Sequence, residues 1–132
     1  MATIPKWLRI VGFVLHLLIG GLLIFAGSGK AFGFAPPQAT EGLIKGGLAE
    51  HVKLIGFGEM ITGTLLILPW TKSLGVLLVS GFWGGVICFH MSHGEPFAVW
   101  AGVLAVTWLA AGLREPRTFA SFLGSGPAQQ SG

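Results

Sequence analysis

The chain has 132 residues, of which 52% are hydrophobic and 10% charged, and its mean hydropathy is +0.77. A soluble domain of this size cannot bury so much apolar surface, so the composition indicates an integral membrane protein. The eight Lys and Arg residues stand singly between apolar runs, which argues against a nucleic-acid-binding surface. The single cysteine, Cys88, excludes a disulfide or a dithiol redox pair within one copy of the chain.

Four long gaps between charged residues predict four transmembrane helices. A charge is costly in hydrocarbon, and roughly 20 apolar residues cross it as a helix. The predicted spans lie at about residues 9–29, 52–70, 73–91 and 96–113. The first is too long for a secretory signal and lacks a cleavage site, so we expect it to be retained. Because open strands leave backbone groups unpaired in lipid, the predicted fold is an all-α integral membrane four-helix bundle.

The segment between the first two spans predicts a short interfacial helix. Residues 33–37 are rich in Gly and Pro and should end the first helix. Thr40 is a candidate N-cap for the short helix, whose apolar face should rest on the membrane interface. Residues 1–123 thus form the four-helix domain, and the Gly-, Ser-, Pro- and Gln-rich residues 124–132 are predicted to be a flexible tail.

Glycine is frequent, with 22 residues, and many lie inside the predicted spans. Gly81 and Gly85 in the third span are four residues apart, and two similar pairs of small residues occur in the fourth. Small residues at this spacing let helix backbones approach closely. We therefore expect a tight bundle without room for a wide pore.

The basic residues near the helix ends predict the orientation, because cytoplasmic loops carry an excess of Lys and Arg. With four spans, both termini and the loop between the second and third spans share one side. That side has five basic residues: Lys6, Arg9, Lys72, Arg114 and Arg117. The other side has three: Lys30, Lys45 and Lys53. Both termini are therefore predicted to be cytoplasmic.

Glu59 is the one charged residue inside the second predicted gap, and an intramembrane carboxylate marks a candidate functional site. It lies six residues after Lys53, roughly 9 Å inside the outer boundary. Lys30 and His90 share that depth and are its candidate partners. Two interpretations stay open, a clamp between helices and a functional acid, with the clamp preferred. His16, nearer the inner side, is predicted to be a packed, hydrogen-bonded histidine.

A second set of polar residues falls on the same predicted outer side. His90 and His93 are three residues apart at the end of the third span, and Glu95 follows them. Glu50 and His51 precede the second span. Such residues can bind a metal ion or form the polar rim of a pocket that contains Glu59, and we prefer the rim because two histidines at this spacing are common at helix ends. We assign no metal to them.

Three features together resemble the DoxX-like family of small four-helix bacterial membrane proteins. The first is the segment GGLLIFAGSGKAFGF, in which a glycine-rich span ends in Phe25, Gly27 and Lys30. The second is GFGEMITGTLLILPWTKSLGVLL, with Glu59 and a Pro-x-Thr turn before the third span. The third is His90 at the end of that span. The resemblance covers roughly residues 8–113.

The resemblance implies a protein of the bacterial cytoplasmic (inner) membrane. Relatives of this family are linked to thiosulfate:quinone oxidoreduction and to membrane complexes that handle thiols. Lys30 and Glu59 match the polar pair of the family, whereas His93 and Glu95 are not carried over. With one cysteine and no cofactor motif, this chain offers no sequence support for redox activity of its own.

The preferred functional hypothesis is a non-catalytic or accessory subunit of a larger membrane assembly. Its expected partners are the lipid bilayer and other membrane subunits or further copies of the chain, and no nucleic acid. The alternative is a subunit of a quinone-linked oxidoreductase for thiosulfate or thiols, in which Glu59 and His90 manage protons beside a quinone head group. A small-molecule or metal transporter is less favoured. No catalytic residue is assigned, and quinone is the only candidate cofactor.

Overall fold

A computed structural model describes residues 3–124, and within this range the chain is helical and contains no strand. The predicted all-α class is confirmed. The described helices are α1 (Lys6–Phe32), α2 (Pro37–Leu43), α3 (Val52–Ile67), α4 (Lys72–Ser92), α5 (Ala98–Arg114) and α6 (Arg117–Leu123). Of the predicted flexible tail, only Gly124 is described, and the rest lies outside the described residues.

The four long helices form a ring in which α1 and α4 each pack against both α3 and α5. Neighbouring helices run in opposite directions. One end of the ring, here named the terminal end, holds the start of α1 and the end of α5. The opposite end, named the loop end, holds residues 33–51 and the turn between α4 and α5. The core between the helices consists of Leu23, Leu66, Val76, Val79, Trp83 and Ala111.

By length and composition, α1 and α4 could each cross a membrane, with 27 and 21 residues. They correspond to the first and third predicted spans. The other two predicted spans correspond to α3 and α5, which are apolar but have only 16 and 17 residues. Two of the four predicted spans therefore meet the length expected of a membrane-crossing helix.

Glycines place the backbones of α1 and α3 in direct contact. A Cβ atom on Gly27 would lie 2.5 Å from the carbonyl oxygen of Gly56, and one on Gly63 would lie 2.6 Å from that of Gly20. Real Cβ atoms essentially never approach another atom closer than 3.0 Å. Only glycine therefore fits this contact.

The predicted pair Gly81 and Gly85 does not contribute to packing inside the bundle. A Cβ atom on either residue would meet no atom within 4 Å. Both glycines face away from α3 and α5, since the buried residues of α4, such as Val79 and Trp83, occupy the inner face. Tight packing is present, but between α1 and α3.

The short helix between the first two long helices begins earlier than predicted. Pro36 precedes it and Pro37 is its first residue, where the fixed φ of proline favours the helix start. Thr40 lies inside the helix, and its hydroxyl donates to the carbonyl of Pro37 at 3.3 Å. The predicted N-cap at Thr40 is therefore wrong. Beyond Leu43 the chain continues through irregular helical turns, because Gly47 adopts a φ of 87°.

The helix α6 was not predicted. It begins after Pro116, and the chain folds back along the end of α5. The ring of Phe119 packs against Trp108 at a centroid distance of 5.7 Å and covers Gly112. Only the absence of a side chain at Gly112 lets this ring approach the helix so closely. The contact that holds α6 in place joins two helices across a turn, and the hydrophobic periodicity of either helix does not reveal it.

Candidate functional site

Lys30 and Glu59 form a buried ion pair near the loop end. The ammonium group of Lys30, in the last turn of α1, donates to both carboxylate oxygens of Glu59 on α3, at 2.7 and 2.9 Å. The two side chains are only 13% and 6% exposed. Charge-assisted hydrogen bonds of this kind are short and strong, and both carboxylate oxygens are occupied. Of the two predicted partners of Glu59, Lys30 is the one in contact.

The glycine contact between α1 and α3 positions this pair. A Cβ atom on Gly27 would lie 2.8 Å from the Cβ of Glu59, and one on Gly56 would lie 2.9 Å from the Cβ of Lys30. Each charged residue therefore stands directly against a glycine of the opposite helix. The close approach of the backbones lets a lysine and a glutamate meet without leaving the interface.

His90, the other candidate partner of Glu59, makes its contacts elsewhere. The imidazole stacks on Trp100 at 5.6 Å, and its Nδ1 lies 2.7 Å from Oε2 of Glu95. This separation is short enough for an ion pair, but the imidazole and the carboxylate are not aligned for a hydrogen bond. Trp83 also stacks on Trp100, at 5.6 Å. His90 thus belongs to an aromatic cluster between α4 and α5, whereas Glu59 faces α1.

The other predicted rim residues do not come together around Glu59. The ring of His93 packs on Phe89 at 4.4 Å, and its Nδ1 lies 2.8 Å from the Phe89 carbonyl oxygen. Glu50 and His51 are exposed on the turn before α3. Between residues 3 and 124, no three His, Cys, Asp or Glu side chains are close enough to hold a metal ion. Among the predicted rim residues, Glu95 contacts only His90.

A second buried charge, at the terminal end, was not predicted as a site residue. Arg114, the last residue of α5, is only 7% exposed. Its guanidinium donates to the carbonyl oxygens of Leu66 and Ile67, at 2.5 and 2.6 Å. Its charged end also lies 5.0 Å from the ring of Phe13. Arg114 therefore links α5 to the C-terminus of α3, where the helix dipole favours a positive charge.

Pro69 explains why the end of α3 needs these donors. A proline has no N–H group, so the carbonyl of Leu65 loses its usual helical partner. The hydroxyl of Thr71 donates to that carbonyl at 2.9 Å. The N–H of Leu68 serves the carbonyl of Thr64 at 3.1 Å. Together with the two bonds from Arg114, all four final carbonyls of the helix are satisfied.

His16 completes this network in a defined tautomer. Its Nδ1 lies 3.2 Å from Nη1 of Arg114, and its Nε2 lies 3.0 Å from the carbonyl oxygen of Thr107. A guanidinium can only donate, so Nδ1 must accept and the proton must reside on Nε2, which donates to Thr107. The predicted packed, hydrogen-bonded role of His16 is confirmed. Sequence alone placed Arg114 among the membrane-edge charges and gave no sign of this contact.

A third polar contact ties the start of α4 to the segment after α5. The ammonium of Lys72 donates to Glu115 at 3.1 Å, and the hydroxyls of Ser73 and Thr118 lie 3.1 Å apart. Burial acts to raise the pKa of Glu115, but the hydrogen bond and charge of Lys72, together with the backbone of Arg117 and the charge of Arg9, hold that pKa below its ordinary value. This contact closes the terminal end beside Arg114.

The buried charged groups are thus engaged with one another or with backbone carbonyls, and their geometry suits the fixing of helices. Two buried polar atoms among the described residues make no hydrogen bond: Nδ1 of His90, which lies 2.7 Å from Glu95, and the indole N–H of Trp83, which has no acceptor. No protein-family model, curated protein or solved structure matches the chain.

Proposed function

We propose that the chain is a DoxX-like integral membrane protein with four membrane-crossing helices, which serves as a non-catalytic or accessory subunit of a larger assembly in the bacterial cytoplasmic membrane. The apolar outer surface of the bundle supports its placement in lipid. Leu18, Ile61, Leu77 and Leu109, one from each long helix, are each more than half exposed. Apolar exposure on every side is unfavourable in water and suits a bilayer.

The burial of polar groups supports the same placement. Glu59, His16 and Arg114 are all buried and engaged within the bundle. Charged groups inside a membrane bundle face its interior and pair there, because lipid offers them no partner. The helices α3 and α5 extend only about 24–26 Å, less than the roughly 30 Å of hydrocarbon, so flanking residues and local thinning must cover the difference.

One observation supports the accessory role most directly. Both carboxylate oxygens of Glu59 accept hydrogen bonds from Lys30 at the glycine contact between α1 and α3. A carboxylate that is 6% exposed and accepts from one ammonium through both oxygens stabilises the helix pair, and its charge is held by Lys30 in place of a substrate. This favours the clamp over the functional acid. With its polar groups turned inward, the bundle offers a partner mainly the apolar outer face.

The accessory role is tested by purifying the full chain in a mild detergent and identifying by mass spectrometry what co-purifies. We expect one or more membrane proteins in a fixed ratio to the chain. A chain that purifies alone and carries bound quinone would contradict the accessory role and favour the alternative.

That alternative, a subunit of a quinone-linked oxidoreductase, is favoured by the aromatic cluster between α4 and α5. Trp83 is buried and its N–H lacks an acceptor, while Trp100 and His90 add flat rings beside it. A quinone carbonyl is an acceptor that could satisfy the N–H of Trp83, and its ring could stack in such a cluster. Extraction and chromatography of bound quinone, with Trp83→Phe as the comparison, tests this candidate.

The orientation is part of the proposal. With both termini cytoplasmic, alkaline phosphatase fused after Gly124 should be inactive, whereas a fusion at Gln38 should be active, because this enzyme folds only outside the cytoplasm. The excess of Lys and Arg at the terminal end is the physical reason. The reverse pattern of activities would invert the orientation.

A further inference from the structure

The two ends of the bundle differ strongly in charge. The terminal end holds five basic residues and one acid: Lys6, Arg9, Lys72, Arg114, Arg117 and Glu115. The loop end holds three basic residues and four acids: Lys30, Lys45, Lys53, Glu41, Glu50, Glu59 and Glu95. The terminal end thus carries a formal charge of +4 and the loop end −1, which together give the chain's +3.

Part of the positive charge at the terminal end remains available to a ligand. Lys72 is occupied by Glu115, and Arg114 is buried against the carbonyls of α3. Three basic side chains are exposed and take part in none of the ion pairs of residues 3–124: Lys6, Arg9 and Arg117. The positive charge of Arg9 also acts to lower the pKa of Glu115.

Two indole rings accompany these cations. Trp7 on the first turn of α1 and Trp70 in the connection between α3 and α4 are each more than half exposed. Tryptophan is enriched where membrane meets water, because its ring is apolar and its N–H is polar. The terminal end therefore combines exposed cations with indole rings, a combination suited to the headgroup layer of a bilayer.

We propose that the terminal end binds the phosphate groups of anionic phospholipids in the adjacent leaflet, with Lys6, Arg9 and Arg117 as the contacts. This inference rests on the membrane placement proposed above. A phospholipid is the partner that satisfies both features, since its phosphate pairs with the exposed cations and its glycerol and acyl region receives the indole rings. The loop end, with its net negative charge, should lack this preference.

The test uses the full chain, purified in a neutral detergent and incubated with equal amounts of phosphatidylglycerol and phosphatidylcholine. Gel filtration removes free lipid, and mass spectrometry measures the ratio of the two lipids retained. We expect phosphatidylglycerol to predominate. Arg9→Gln and Arg117→Gln should each lower the ratio about fivefold, the effect of removing one basic residue near an anionic surface.

Two controls are matched to these variants. Lys53→Gln removes an exposed, unpaired cation from the loop end and should leave the lipid ratio unchanged. Arg9→Lys keeps the charge and should keep the ratio. Because the substituted side chains are exposed, the variants should elute from the column as the unmodified chain does.

Several outcomes would overturn the inference: equal retention of both lipids, or a loss in Lys53→Gln as large as in Arg9→Gln. Displacement of the lipid by inorganic phosphate beyond the effect of sodium chloride at equal ionic strength would instead indicate a site for free phosphate. Loss of a co-purifying acidic protein from Arg9→Gln, with an unchanged lipid ratio, would assign the surface to that protein. A chain that stays dispersed without detergent would contradict the membrane placement itself.

Discussion

The two ends of the bundle bury charge in different ways. At the loop end, the ammonium of Lys30 is neutralised by the carboxylate of Glu59 on the neighbouring helix. At the terminal end, the guanidinium of Arg114 binds two backbone carbonyls and an imidazole nitrogen. The first contact joins two side chains, whereas the second joins a side chain to the end of a helix.

This difference determines which amino-acid substitutions each contact tolerates. An ion pair between side chains can be replaced as a unit by apolar residues, often at little cost in stability. The carbonyls at the end of α3 cannot be removed by substitution, because they belong to the backbone and Pro69 prevents the helix from satisfying them. Apolar replacement of Arg114 should therefore cost more stability than apolar replacement of both members of the pair at the loop end together.

The largest effect is expected from Glu59→Ala, which leaves the ammonium of Lys30 buried without a counterion. Removing one member of a buried pair lowers the free energy of unfolding by roughly 3–5 kcal/mol. Glu59→Gln should lose less, since its amide oxygen still accepts from Lys30. Thermal unfolding in detergent measures both variants.

The double variant Lys30→Met with Glu59→Leu sharpens this comparison. As a clamp, the apolar pair should restore most of the stability lost in Glu59→Ala, and the co-purifying partners should be retained. If the double variant is stable but its assembly or activity is lost, the charge of Glu59 has a function beyond holding the helices. That result would contradict the accessory role as argued from this pair.

Arg114→Met is the corresponding test at the terminal end. It removes the donors to Leu66, Ile67 and His16 together, and we expect a loss of about 3 kcal/mol in the free energy of unfolding. Arg114→Lys should recover only part of it, because one ammonium does not match the geometry of two adjacent carbonyls. Equal stability of Arg114→Lys and the unmodified chain would show that a single positive charge is enough to stabilise the end of α3, without the paired N–H groups of the guanidinium.

Two glycines, one packed between α1 and α3 and one on the open face of α4, offer a matched pair of substitutions. Gly27→Ala places a Cβ atom 2.5 Å from a backbone oxygen of α3 and should cost about 1–3 kcal/mol in the free energy of unfolding. Gly85→Ala meets open space and should stabilise the isolated chain by up to about 1 kcal/mol through helix propensity. The two unfolding temperatures, measured in one detergent, should move in opposite directions.

The same glycines show where sequence reasoning succeeds and where it stops. Apolar gaps between charges identified all four long helices, and depth along the chain named Lys30 and His90 as candidate partners of Glu59, of which Lys30 is the one in contact. The spacing of Gly81 and Gly85 was a valid packing motif, but spacing does not reveal which helix face turns inward. Two small residues four apart on one helix form a packing interface only when the backbone of a second helix lies against them.

The role of Arg114 escaped prediction for a related reason. A basic residue at the end of an apolar run is typical of a membrane edge, and nothing near it in sequence suggests a buried partner. Its acceptors belong to residues 66 and 67, which reach it only once α3 and α5 are side by side. Pro69 was visible as a helix breaker, and asking which donors would serve the carbonyls before it could have pointed to an arginine at the same end.

The smallest expected effect concerns Glu115 and depends on pH. Its pKa lies below the ordinary carboxyl value of 4.5 in the folded chain, so at neutral pH its ionised form stabilises the fold through Lys72. That contribution is complete above the ordinary value and is lost as the pH falls through the lowered pKa, when the folded chain takes up the proton. Because the pair is partly exposed, we expect less than about 1 kcal/mol.

Glu115→Gln should therefore lower the unfolding temperature slightly at neutral pH and converge with the unmodified chain as the pH falls through the lowered pKa of Glu115. The control is Glu41→Gln, which breaks an exposed pair with Lys45 one helical turn away and should change the unfolding temperature little at any pH. Equal effects of the two substitutions would mean that the contact between Lys72 and Glu115 contributes no more than a surface pair. The terminal end would then depend on Arg114 and its carbonyls alone, and the contrast between the two ends would be sharper still.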